Sequence, residues 1–565
     1  MSVKVAYFSM EIALAPSMKT YSGGLGMLSG DTVRGFADLG LSAVGITLLH
    51  RKGYFRQYID ETGWQSGEPD NWNVEQYLTE QETRVQVIIG GRTVNIRAWE
   101  YRVKGITGRD VPVYLLDTDL QENSDYDRTL TDHLYGGDLY YRLCQEIVLG
   151  IGGVRMLRAL GYEEVTRFHM NEGHSALLTM ELLDEQGEKS GRTSFSSEDI
   201  AAVRKLCVFT THTPVPAGHD KFPLDMAIQT LGRRDIRDMC DVFCFNGELN
   251  MTYLALNLSG RINGVAKRHG QISQQMFPNY DIDSITNGVH VKTWAAKPFV
   301  ALFDEYIPDW CGDNFSLRYV LRIPAAKIRV AHEEAKRNLI TRVNSQMNTN
   351  LRTDVFTLGF ARRATPYKRA DLLMHDLDRL NAVADKVGEI QVIYGGKAHP
   401  NDHQGKEQIK RVIQSNKRLS DRIQLVYLPN YDWELGALIT AGVDVWLNTP
   451  LPPNEASGTS GMKAAINGVP SLSILDGWWL EGCIENRTGW AIGERYDQLS
   501  SPVDADPTAH DADSLYNKLE NVVMPLYYND PESFLEVMIH AIGLNGSFFT
   551  AQRMVLQYIS RVYFR

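Results

Sequence analysis

The sequence predicts an α/β protein built from two doubly wound domains. Three observations carry that expectation. Compact apolar runs alternate with helix-length amphipathic segments, the signature of parallel strands joined by helices. The pattern stops near residue 290 and then restarts. A chain of 565 residues, 43% of them hydrophobic, is too long for one core and has ample apolar material for two.

The elements follow in order. Strands are expected at residues 3–8, 43–48, 113–116 and 206–210, each a short aliphatic run. Alternation across 85–98, turned by Gly90-Gly91, predicts an antiparallel hairpin. Apolar spacing over 143–160 predicts a helix despite glycines at 150, 152 and 153. After the break, strands are expected at 354–360, 389–394, 423–427 and 443–447, with a charged helix over 321–346. The expected domains are 1–295 and 296–545, followed by a last helix over 546–565. Open parallel sheets bind ligands at the carboxyl ends of their strands, so the loops there are where chemistry is sought. There is no internal repeat and no low-complexity tract.

A formal charge of −11 argues against nucleic acid and against an acidic membrane surface. No apolar run reaches transmembrane length, and no signal sequence precedes the first strand, so a soluble cytoplasmic protein is expected. Of six cysteines, only Cys240 and Cys244 are close, with no second pair to complete a zinc site; reduced thiols are expected, and no metal.

The most informative run is Asn454-Glu455-Ala456-Ser457-Gly458-Thr459-Ser460-Gly461-Met462-Lys463. It places a carboxylate, hydroxyls and flexible glycines ahead of a lysine that opens an apolar, helical stretch. Unpaired N–H groups at a helix start suit a phosphate, and a desolvated lysine can form a Schiff base. These are the parts of a pyridoxal phosphate pocket; a Gly/Ser loop before an ordinary helix is the plainer alternative. Two further runs suit phosphate. Tyr21-Ser22-Gly23-Gly24-Leu25-Gly26 brings backbone N–H groups to a helix start, and Arg362-Arg363-Ala364-Thr365-Pro366-Tyr367-Lys368-Arg369 puts four cations just after a strand. His212, in Thr211-His212-Thr213-Pro214-Val215-Pro216, also follows a strand. A metal pair with His219 has no further support.

Glu455 to Lys463 resembles the pyridoxal phosphate lysine motif of the α-glucan (glycogen, starch, maltodextrin) phosphorylases. The likeness runs from Tyr7-Phe8-Ser9-Met10-Glu11 to Asn545-Gly546-Ser547-Phe548-Phe549. It implies the two-domain GT-B architecture, with the last helix packing back on the first domain. It also implies roles by position. Lys463 anchors pyridoxal 5'-phosphate; Thr459, Ser460 and Arg362 hold its phosphate, and Tyr431, Trp294 and Gly24 lie beside it. Gly24 and Leu25 face the substrate, and Arg363 and Lys368 take the reacting phosphate. Asn171, His174, His212, Asn287, Glu455, Ser457 and Gly458 serve the sugar, His212 also stabilising charge at C1. Ser22 stands where the family has asparagine, and Thr365-Pro366 where it has His-Glu. Because the chain begins almost at its first strand, the N-terminal regulatory region of the eukaryotic members, and regulation through it, is expected to be absent.

Glycosidases usually carry a carboxylate pair, and none is evident here; the cationic motifs fit phosphorolysis instead. The resemblance implies that inorganic phosphate removes the non-reducing-end glucose of an α-1,4-glucan or maltodextrin as α-glucose 1-phosphate, with retention. The cofactor's phosphate would act as proton donor or relay. A homo-oligomer stays open. The nearest rival is a nucleotide-sugar glucosyltransferase, but its Glu-x7-Glu sequence would need glutamate where Lys463 stands. A glucan-binding protein with a dead site is a second rival, which the intact cations argue against. The lysine motif and domain order do not suit an amino acid-type pyridoxal enzyme.

Overall fold

The computed structural model describes residues 4–191, 195–214, 219–494 and 507–564; Val3, Val215 and Pro216 of the segments above lie outside them. The chain divides into two compact units. The first comprises Met1–Phe55, Pro69–Thr286 and Met554–Arg565, and the second Arg56–Glu68 and Asn287–Arg553. The exchange of Arg56–Glu68 leaves no mark on the hydrophobic pattern, because the segment is too short to carry a period of its own. Its strands β3 (Arg56–Ile59) and β4 (Gln65–Glu68) pair antiparallel. Two buried glutamines fasten it: Gln57 donates to the Gly396 carbonyl at 2.8 Å, and Gln65 donates to the Ala398 carbonyl at 2.9 Å.

The first unit is organised by a nine-stranded sheet ordered β14-β13-β9-β8-β1-β2-β7-β6-β5. The strands are β1 (Val5–Ser9), β2 (Ala43–Leu48), β5 (Thr79–Ile89), β6 (Arg92–Lys104), β7 (Asp110–Asp117), β8 (Arg167–Asn171), β9 (Cys207–Thr210), β13 (Arg261–Gly264) and β14 (Ile282–Ser284). From β14 to β7 every pairing is parallel; β6 and β5 add the expected hairpin, turned at Gly90-Gly91. Residues of β1 and β2 are buried throughout, as a parallel sheet covered on both faces requires. A small sheet, β10-β12-β11 (Lys221–Pro223, Glu248–Asn250, Cys244–Phe245), stands apart.

The helix over 139–159 contains a π turn at Val148–Gly152. Its glycines are explained by packing: a Cβ at Gly153 would lie 2.6 Å from the Phe8 ring, and one at Gly150 2.7 Å from the Leu178 nitrogen. The residues from Met554 onward join this unit through Tyr558, Tyr563 and their bonds. The buried ring of His169 contacts Thr210 Oγ1 at 2.8 Å and the Tyr563 hydroxyl at 2.6 Å.

In the second unit a six-stranded parallel sheet runs β17-β16-β15-β18-β19-β20. Its strands are β15 (Phe356–Ala361), β16 (Ile390–Gly395), β17 (Ile423–Leu428), β18 (Val445–Asn448), β19 (Ser471–Ile474) and β20 (Gly489–Ile492). Numbered within the unit this is the order 3-2-1-4-5-6 of a doubly wound nucleotide-binding sheet. Both units are therefore α/β layers on mainly parallel sheets, as expected. The charged helix is Ala325–Met347.

One expectation is corrected. Cys240 and Cys244 form a disulfide rather than two reduced thiols. The turn of helix between them brings the Cα atoms to 4.7 Å, within bridging range. No helix among the described residues is long and apolar enough to cross a membrane, and those residues hold no cluster suited to a metal.

Candidate active site

Each sheet has one point where the strand order reverses, and there the loops on either side leave in opposite directions and open a crevice. In the second unit that point lies between β15 and β18, and Arg362 spans it. Its guanidinium, one residue beyond β15, donates to Asn448 Oδ1 at the end of β18 at 2.7 Å. It also donates to Glu455 Oε2 at 2.7 Å, and Lys368 Nζ reaches the same oxygen at 2.5 Å. Burial alone would raise the Glu455 carboxyl, but the Arg362 and Lys368 charges outweigh it and hold the pKa at about 2. Two cations thus converge on one buried carboxylate, leaving a positive excess at the crevice. Arg363 stands exposed on the same loop.

Behind Glu455 sits Asp476, which accepts from the Glu455 and Gly477 amides at 2.9 Å each. Its burial, with the Glu455 charge added, pushes it up to about 7.

Lys463 lies in the helix Ser460–Ile466, which starts three residues before it, and is only 8% exposed. Its Nζ sits 3.8 Å from the centre of the Trp294 ring. Asn467 ties the two together, donating to the Trp294 carbonyl at 2.9 Å and the Lys463 carbonyl at 3.0 Å. Ser460 Oγ accepts from the Trp446 indole at 3.1 Å, and Ser457 and Gly458 shape the loop ahead, Gly458 with φ +76°. Tyr431 is packed against Gly395 and Gly436, its hydroxyl pushed well above its ordinary range by burial. Asn287 is buried in this unit, its carbonyl accepting from Arg553 at 2.8 Å.

The first unit repeats the arrangement. Its switch point lies between β1 and β8, and Asn171 at the end of β8 spans it, donating to Ser9 Oγ at 3.1 Å and Ser29 Oγ at 2.8 Å. With its amide N–H groups so used, Asn171 Oδ1 must accept from His212 Nε2, 2.6 Å away. Burial lowers the His212 pKa to about 3, so the ring is neutral with its proton on Nε2. Glu172, at φ +74°, accepts from the His212 amide at 2.7 Å and Thr213 Oγ1 at 3.0 Å. His174 lies 3.3 Å from Asp220, its pKa lowered to about 4 by burial and by Arg142. Gly24 opens the helix Gly24–Asp38, followed by Leu25, and a Cβ at Gly24 would meet nothing within 4 Å. The loop before it is anchored by Glu11, which accepts from the Ser22 amide at 2.6 Å, the Gly23 amide at 3.3 Å and the Tyr135 hydroxyl at 2.9 Å.

Comparison with known proteins decides the family. The chain is 38% identical to the maltodextrin phosphorylase of Thermococcus litoralis, over 99% of its own length and 70% of that protein. It is 34% identical to the glycogen phosphorylase of Aquifex aeolicus, over 99% and 86%. The family model described as carbohydrate phosphorylase matches residues 229–490.

The chain belongs to the carbohydrate phosphorylase family.

Members of this family are glycosyltransferases, and the chain is accordingly read as an enzyme. A relative in Methanocaldococcus jannaschii, described only as uncharacterized, is 31% identical over 99% of both chains. Several residues that shape these phosphorylase-family crevices escaped the sequence reading. Asp476, Asn448 and Ser29 sit in ordinary polar contexts, and nothing local marks them. Glu11 was within reach, since it closes the Tyr7-Phe8-Ser9-Met10-Glu11 run, but its partners lie 11 and 124 residues away.

Proposed function

We propose that this chain cleaves the non-reducing-end glucosyl unit of an α-1,4-glucan or maltodextrin with inorganic phosphate. The product is α-glucose 1-phosphate, formed with retention, and pyridoxal 5'-phosphate is bound at Lys463. The reading rests above all on Lys463. A buried lysine amine held against an indole face by a shared asparagine, on the same sheet as a cationic crevice, suits a flat aromatic aldehyde bearing a phosphate. The donor set fits that group. Lys463 supplies the amine, Trp294 and Tyr431 aromatic walls, and Thr459, Ser460 and Arg362 donors for a phosphate. When bound, the cofactor supplies a phosphate able to exchange a proton with the substrate phosphate.

The chain's own residues do the rest. Arg363 and Lys368 hold inorganic phosphate and offset repulsion between two phosphates in one crevice, where each cation counts for more than in water. Gly24 and Leu25, in the first unit, are assigned backbone N–H contacts to substrate phosphate. Glu455, Ser457, Gly458 and Asn287 on the second unit, with Asn171, His174 and His212 on the first, are assigned to glucosyl hydroxyls. His212 is neutral and Nε2-protonated, so its Nδ1 is left as an acceptor for a sugar hydroxyl rather than as a cation beside C1. The relatives' names, one maltodextrin phosphorylase and one glycogen phosphorylase, support the substrate class. A cytoplasmic setting suits a phosphate-consuming reaction on a storage glucan.

Borohydride reduction of the purified holoprotein, followed by peptide mapping, tests the reading. A pyridoxyl adduct on Lys463, absent in Lys463→Ala, is expected together with phosphate-dependent release of glucose 1-phosphate. Folded protein that takes up no pyridoxal phosphate overturns it.

A further inference from the structure

A second cationic cleft lies within the second unit, bounded by the turn Pro366–Lys368 and the helix His403–Ser415, with a volume of about 1150 Å³. Its lining includes Arg369, Gln408, Arg411, Lys417 and Arg418, but not Arg362, Arg363, Lys368 or Lys463. Arg369 and Lys368 are neighbours that point to different partners: Lys368 to Glu455, Arg369 to the Thr449 and Pro450 carbonyls at 3.0 Å each and to Asp511 at 2.7 Å.

Two residues that line this cleft each hold a buried polar atom without a hydrogen-bond partner. Arg369 is 7% exposed, and its Nη1 has none; Gln408 is 3% exposed, and its Oε1 has none. A buried donor or acceptor left unpaired costs about 1–3 kcal/mol. Arg369 is also held at φ +45°, a left-handed conformation that a side chain of its size adopts rarely. The cleft's two carboxylates are both met by cations: Asp371 accepts from Arg411 at 2.7 Å, and Glu407 lies 3.9 Å from Lys410. Lys417 and Arg418 are exposed at its rim and make no ion pair with a described residue. In a chain of net charge −11, this cleft has four arginines or lysines in its lining and two carboxylates already engaged.

We infer that the cleft binds a small phosphorylated polyol, such as a sugar phosphate. An anionic oxygen would meet Arg369 Nη1 and the Lys417–Arg418 rim, and a hydroxyl would donate to Gln408 Oε1. The unpaired donor asks for an anion and the unpaired acceptor for a hydroxyl. Inorganic phosphate keeps a P–OH at neutral pH but carries it on the same small ion as its anionic oxygens, whereas a phosphorylated polyol presents the two on separate groups. The site is independent of the phosphorolysis reading, since none of its residues belongs to that machinery.

Isothermal titration calorimetry on the full chain tests it, with ribose 5-phosphate, inorganic phosphate and ribose as probes. Ribose 5-phosphate should saturate and bind at least about tenfold more tightly than phosphate, with no heat from ribose. Lys417→Ser/Arg418→Ser should weaken ribose 5-phosphate by about tenfold or more. A charge-matched control on the first unit, Lys104→Ser/Lys205→Ser, should not. Both replacements are at exposed positions, and an unchanged melting midpoint confirms that each folds. Equal affinity in wild type and Lys417→Ser/Arg418→Ser, or no saturable binding, overturns the site. Equal affinity for phosphate and ribose 5-phosphate overturns its hydroxyl-accepting half. Uptake of pyridoxal phosphate does not enter these readouts, so failure here and failure of the proposed reaction are separable.

Discussion

Glu455→Gln is the most discriminating single change in the crevice, because it keeps the shape of the side chain and removes one charge. The carboxyl is held at about 2 against an ordinary 4.5, burial being outweighed by Arg362 and Lys368. At about 1.36 kcal/mol per pKa unit, that difference is roughly 3 kcal/mol of folding stability at neutral pH. The figure matches the ~3–5 kcal/mol expected when a buried ion pair loses one partner. For a unit of this size it should lower the melting midpoint by about 5 °C in scanning calorimetry at pH 7. The pH dependence has a definite sign. A depressed carboxyl contributes stability above its unfolded pKa and loses it as pH falls through the folded value, so the gap between wild type and Glu455→Gln should narrow below about pH 4.5. Asp476 works the other way. It is held up at about 7, so it costs stability as pH rises from 3.8 toward 7, and the cost should shrink when the Glu455 charge is gone. A midpoint shift below about 1 °C at pH 7, or a gap that does not change on acidification, would refute the account of two cations converging on one carboxylate.

Gly24→Ala meets no atom within 4 Å and should leave the melting midpoint unchanged. If the phosphate approaches that backbone, activity should still fall at least about tenfold, and full activity counts against the approach. His212 should titrate near pH 3 by carbon-13 NMR of the ring, so that the native protein loses stability relative to the unfolded chain as pH falls from 6.5. A midpoint above 6 is incompatible with a ring that burial keeps neutral.

The strands and the long helices are legible in the sequence because their residues answer to neighbours within a few positions. The aliphatic runs at 43–48 and 423–427 became strands with at most one residue's change at an end. The glycines of the helix over 139–159 were legible only as an oddity; Phe8 and Leu178, which require them, are far away in the chain. Lys463, the cationic loop and the glycine loop announced themselves as clusters of unusual composition. The hairpin Arg56–Glu68 did not, because it is fastened by glutamines to the loop after β16, more than 330 residues on.

Taken alone, the order of amino acids was enough to establish two mainly parallel α/β sheets and the family, through the motif that ends in Lys463, and to nominate the loops where anions are expected. It could not establish that Arg362 reaches across from β15 to Asn448, or that Asn171 orients His212. Nor could it show that Lys368 and Arg362 share one oxygen of Glu455, or that Cys240 and Cys244 are joined. Periodicity is a property of adjacent residues and survives in any arrangement of the strands. Hydrogen bonds and charges act over a few ångströms, and which groups come that close is set by strand order at the two switch points, which no local stretch of sequence encodes.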